Sequence, residues 1–61
     1  MDLFHIMKVS KIPELYEKFN TNNITSDIIW ELTDEILNDV LRLSPVEKLR
    51  YNVAKKNHSN S

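Results

Sequence analysis

The sequence predicts an all-α fold, a compact five-helix bundle of short helices around one small core. Two observations carry that prediction. The apolar residues Leu15, Phe19, Ile24, Ile29, Leu32, Leu37, Val40 and Leu43 keep helical spacing for one or two turns and then reset. Turn and cap residues stand at the resets: Asn22-Asn23, Thr25-Ser26, Thr33 and Ser44-Pro45. A single long amphipathic helix would not reset, and the spacing does not fit a sheet.

Asp2 caps a first helix over residues 3–8, with Leu3, Ile6 and Met7 on one face. Residues 9–12 connect it to a second helix over 13–20. Pro13 suits that helix's first turn, where a missing N–H costs nothing, and Leu15 and Phe19 follow at i, i+4. Asn22-Asn23 ends it. Thr25 or Ser26 caps a third, very short helix, with Asp27 at its positive end. Thr33 caps a fourth, and Asp34 and Glu35 again complement the dipole. Ser44-Pro45-Val46-Glu47 is the strongest local signal: a serine cap, a proline in the first position and a glutamate three residues after the serine. It opens a fifth helix expected over 45–56. Residues 1–57 form the expected domain, and 58–61 read as a disordered polar tail. Glycine is absent, so left-handed backbone is expected at asparagine, with Asn22, Asn23 and Asn38 as candidates.

At 61 residues the chain holds one domain, which on folding buries only about 60% of the surface of its unfolded form. There is no cysteine, hence no disulfide and no thiolate zinc site. No apolar stretch approaches the ~20 residues of a membrane span. The start, Met1-Asp2-Leu3-Phe4-His5-Ile6-Met7, lacks the basic segment of a signal peptide. The expected location is intracellular, cytoplasmic rather than nuclear, with no membrane partner.

The lack of glycine also excludes every Gly-rich phosphate loop. His5 and His58 have no second ligand at metal-binding spacing. Asp34-Glu35 reads as first-turn dipole chemistry, and no nucleophile–base pair stands out. The chain is therefore expected to be no enzyme, with no catalytic, cofactor-binding or metal-binding residue, no cofactor and no small-molecule substrate.

The charge is more informative than its net value of −1. Residues 1–43 hold four basic against eight acidic residues, a balance of −4, and residues 44–61 hold four against one, a balance of +3. Between Lys18 and Arg42 no basic residue occurs. The molecule is electrically two-ended.

Ile12-Pro13-Glu14-Leu15-Tyr16-Glu17-Lys18-Phe19 is similar to a Leu-x-x-Tyr-x-x-x-Phe segment, Asn22-Asn23-Ile24 to Asn-x-Ile, and Leu32-Thr33-Asp34-Glu35 with Leu37 to Leu-Thr-acid-acid-x-Leu. Ile29 and Leu32 match the leucine positions of a third helix. Val46, Lys48, Arg50 and Ala54 fall where Gly-x-Arg-x-Lys and a later small residue are usual. Together these resemble a sterile alpha motif (SAM) domain over residues 3–56. There are departures. Ser26 and Val46 stand where the family has glycine, and Val40-Leu41-Arg42-Leu43 replaces Leu-Gly-Ile with one residue more.

The resemblance implies a scaffold or adaptor module that binds protein, either a second copy or another SAM domain, head to tail. It places a mid-loop surface on Asp27, Trp30, Glu31, Asp34, Glu35 and Asp39, and an end-helix surface on Val46, Lys48 and Arg50. Opposite charge steers such an encounter and an apolar anchor supplies affinity. Trp30, turned about 100° from Ile29, is either that anchor or peripheral core. Tyr16 and Tyr51 read as peripheral core. The alternative is nucleic-acid binding: the resemblance allows RNA binding through a basic last helix, and the last two helices independently read as a helix-turn-helix with Lys48, Arg50, Asn52 and Lys55 on its recognition helix. The strongly acidic remainder argues against it.

Overall fold

The computed structural model describes residues 2–60; Met1 and Ser61, the ends of the expected domain and tail, lie outside the described residues. Helix α1 (Leu3–Val9) starts where the Asp2 carboxylate accepts the His5 backbone N–H at 2.8 Å. Pro13 opens a 3-10 turn (Pro13–Leu15) that runs into helix α2 (Tyr16–Thr21). A second 3-10 turn (Ile29–Glu31) and a π-helical segment (Ile36–Val40) follow. Helix α3 (Pro45–Ser59) is the longest element at 15 residues, and Ser44 and Glu47 form its capping box.

The all-α class holds among the described residues, but the count of five does not: there are three α-helices and one π-helical segment, four in all. The expected third helix is reduced to one 3-10 turn. It has few residues to use, between a left-handed Asn23 and an extended Leu32 (φ −75°, ψ 133°), and the β-branched Ile24, Thr25, Ile28 and Ile29 resist further winding. Thr25 does not cap it; its hydroxyl donates to the Asp27 carboxylate. Thr33 does cap, accepting the Ile36 N–H at 3.3 Å. The helix it opens then widens, with Leu41 N–H reaching Ile36 C=O at 3.0 Å, five residues back. At the other end α3 outruns its expected stop at 56 and carries His58 and Ser59, so these are helical rather than a disordered tail.

Among the described residues three have positive φ: Lys11 at 67°, Asn23 at 61° and Arg42 at 53°. Of the expected candidates only Asn23 is left-handed; Asn22 ends α2 at φ −97° and Asn38 lies within the π-helical segment. The first two close their helices identically. After α1, Lys11 N–H bonds to Lys8 C=O (3.1 Å) and Ile12 N–H to Met7 C=O (2.8 Å). After α2, Asn23 N–H bonds to Asn20 C=O (3.1 Å) and Ile24 N–H to Phe19 C=O (2.9 Å). This is the Schellman arrangement, in which a left-handed residue lets the chain turn back over its own last turn. Arg42 makes a version widened by the π turn, with Leu43 N–H on Leu37 C=O at 3.0 Å. The residue after each left-handed position is apolar and buried: Ile12, Ile24 and Leu43.

The core they join is closed by α3. Tyr51, far from peripheral, has no exposed surface. Its hydroxyl donates to the Ile29 carbonyl at 2.7 Å, which fastens the 3-10 turn to α3. Its ring meets Phe19 and Trp30 at centroid distances of 5.9 and 5.6 Å. Burial, with the Glu31 charge adding to it, raises the phenol above its ordinary value and keeps it a donor. Tyr16 is half-buried, as expected, edge-on to Phe4 at 5.1 Å. Val40 is the one expected core residue that fails. The wide turn places Leu41 inside in its stead and leaves Val40 49% exposed.

A non-glycine residue pays about 1–2 kcal/mol for left-handed backbone, and glycine's extra unfolded freedom returns about 0.5–1 kcal/mol of that. Arg42→Gly is therefore expected to raise stability by about 0.5–1 kcal/mol in chemical denaturation. No gain would mean that the Arg42 side chain contributes as much as its backbone costs.

Candidate functional site

The two surfaces expected from the sequence are built on different elements. The cationic one begins at the capping box. Ser44 N–H donates to Glu47 Oε1 at 2.8 Å, and Glu47 N–H returns to Ser44 Oγ at 3.2 Å. Lys18 Nζ of α2 joins the same Oε1 at 2.9 Å. The Ser44 backbone N–H first, and the Lys18 ammonium second, hold the Glu47 carboxyl below its usual 4.5. The one carboxylate side chain of residues 44–61 is thus engaged within its own molecule, and the other charges of α3 are the half-buried Lys48 and Lys55 and the exposed Arg50 and Lys56.

Of the expected end-helix residues, Val46 (58% exposed) and Arg50 come together, on the wall of an open groove of about 400 Å³. Lys48 is half-buried and does not line it. Leu49 and Val53 do, at 63% and 51% exposure, with Ile12 and Ala54 beneath and Lys11 on the opposite rim. Sequence reasoning missed Leu49, Val53 and Lys11. The signal was present in the spacing of Val46, Leu49 and Val53, which is itself helical and forms a second apolar stripe beside the core stripe of Tyr51 and Ala54.

The acidic residues divide into two groups. Asp27, Trp30 and Glu31 border a larger open groove, about 710 Å³, whose other walls are Ile6 and Val9 of α1 and Lys55 and His58 of α3. Asp34, Glu35 and Asp39 are exposed outside it, and Asp34 accepts from the Asn38 side-chain amide at 3.0 Å. Ile28 and the displaced Val40, in the same stretch of sequence, are 39% and 49% exposed. Trp30 is half-buried, packed against the core, tilted on Tyr51 and stacked with His58 at 5.4 Å and 26°. It belongs to the core's edge and to the groove at once.

Among the described residues no three His, Cys, Asp or Glu side chains are grouped to hold a metal, and no helix is long and apolar enough to cross a membrane. The chain matches no family model, no curated protein and no solved structure.

Two predictions follow from this geometry. Trp30→Ala removes ring contacts to Tyr51 and His58 and is expected to lower stability by about 2 kcal/mol, read from a denaturant midpoint; an unchanged midpoint would leave Trp30 no part in the core. Glu47, with its folded value lowered, stabilises the fold above the ordinary carboxylate range and loses that contribution as pH falls through its folded value. The melting temperature is expected to drop as the pH is lowered through and below the ordinary carboxylate range. Glu47→Gln keeps a capping-box side chain without the charge, and its drop should be smaller; an equal drop in both proteins contradicts this role.

Proposed function

We propose that this chain is a non-enzymatic protein-association module, similar to a SAM domain, that joins head to tail with a second copy or a related domain and serves as an intracellular scaffold or adaptor. The carrying observation is the separation of sign along the chain. Residues 25–41 hold five carboxylates and no base, with Ile28 and Val40 exposed in the same stretch. The start of α3 presents Val46 and Arg50, and Glu47 beside them is tied to Lys18. Complementary fields set approach and register, and the apolar side chains within them supply most of the affinity.

Details of the backbone support the SAM reading. Arg42 is left-handed within residues 40–43, the stretch that replaces the family's Leu-Gly-Ile. The π turn just before it takes up one residue, the amount by which 40–43 exceeds that pattern. Asn23, in the segment similar to Asn-x-Ile, is left-handed as well.

Sedimentation at about 10 and about 500 µM is expected to show mass rising with concentration, alone or with a SAM partner. Lys48→Glu with Arg50→Glu should weaken that association by about tenfold at about 0.15 M salt. A chain that stays solitary with every partner, or a doubly reversed variant that associates like the parent, overturns the reading. Steeply salt-dependent retention of RNA would assign the cations to phosphate instead.

A further inference from the structure

We infer that the groove between α3 and the turn at residues 10–12 is the seat for the acidic segment 27–40 of a second copy of this chain. The inference rests on the head-to-tail reading and moves its centre from the first turn of α3 to the middle of that helix and to Lys11.

The groove has the makings of an interface. An isolated exposed aliphatic residue is ordinary, but Val46, Leu49 and Val53 form a row along about two turns of one helix, each more than half exposed. The row overhangs a floor made by Ile12 and Ala54, so an incoming side chain meets apolar surface on two sides. The rim carries Lys11 and Arg50 and no carboxylate.

Lys11 supplies an independent pointer. It ends α1 in the left-handed conformation, with the same pair of backbone hydrogen bonds that Asn23 makes after α2. Asparagine meets that geometry more easily than lysine. The cap therefore does not ask for lysine, and the strain is carried by a residue whose side chain borders the groove.

The occupant is argued from complementarity. An aliphatic row rimmed by cations calls for a segment that offers exposed aliphatic side chains and carboxylates. In residues 27–40 Ile28 and Val40 are exposed, and the charged residues are Asp27, Glu31, Asp34, Glu35 and Asp39 alone. None of those residues lines the groove of its own molecule. Donor and acceptor are thus different surfaces of one chain, the heterologous arrangement that repeats into an open chain unless it closes on itself.

The test uses complementation between two disabled proteins. One carries Leu49→Asn with Val53→Asn, the other Glu35→Lys with Asp39→Lys; all four positions are exposed. Each alone is expected to lose association about tenfold or more by sedimentation, and a 1:1 mixture should form a dimer that grows no further, because each retains the surface the other lacks. Lys11→Gly, a variant that relieves strain, is expected to raise the melting temperature and weaken association about threefold. If the Leu49/Val53 protein associates like the parent while Lys48→Glu with Arg50→Glu does not, the groove is wrong and the head-to-tail reading stands. If the parent stays solitary by itself, a second copy falls as the occupant; if it stays solitary with every SAM partner as well, the head-to-tail reading falls too. Failure of the mixture to form a dimer overturns the assigned occupant. Should the Leu49/Val53 protein not fold, Lys11→Glu takes its place in the mixture, and full association by that variant alone overturns the groove.

Discussion

The fold depends on reversing the chain three times without glycine. At Lys11, Asn23 and Arg42 the backbone turns left-handed, folds over the last turn of the preceding segment, and sends the next apolar residue inward. Ile12, Ile24 and Leu43 are buried only because those reversals aim them. In so short a chain the core is a few side chains deep, and each of the three makes a large share of it. The local cost is met by this coupling: a cap that strains one residue also buries the next and satisfies carbonyls that the helix end would leave open.

Helix α3 converts those three folded-back segments into one body. Tyr51 reaches across it to the Ile29 carbonyl, and Phe19, Trp30 and Tyr51 share ring contacts. At the helix start, Glu47 serves its own cap and Lys18 of α2 through a single oxygen. An exposed ion pair of this kind adds little stability by itself. Its larger effect is on the surface field, because it pairs the only carboxylate side chain in the last third of the chain and leaves the other charged side chains there of one sign.

Much of the fold was legible in the sequence because it is written in local chemistry. Asp2, Pro13, Thr33 and the Ser44–Glu47 box mark starts, and the structure begins helical winding at each of them. What was not legible depends on contacts between segments. Lysine and arginine carry no left-handed signal, so Lys11 and Arg42 were passed over in favour of asparagines. The widened turn at Leu41, which exchanged it for Val40 in the core, has no marker in composition. Tyr51 was read as peripheral because one helix's periodicity cannot reveal a partner carbonyl twenty-two residues away. On the surface, charge was readable by counting, and Asp27, Glu31, Asp34, Glu35 and Asp39 are all exposed. The second apolar stripe on α3 was overlooked because Leu49 and Val53 lie off the core face, where single exposed aliphatics attract no notice.

The stacking of His58 on Trp30 gives the molecule a built-in optical gauge. There is one tryptophan in the chain, and its neighbours come from the centre of α3 and from that helix's final turn. Helix ends open at far lower free energy than the whole domain. Unwinding of that turn would therefore alter the indole's surroundings while Tyr51 still held the interior together. Its emission registers the state of the chain's last turn separately from the integrity of the globule.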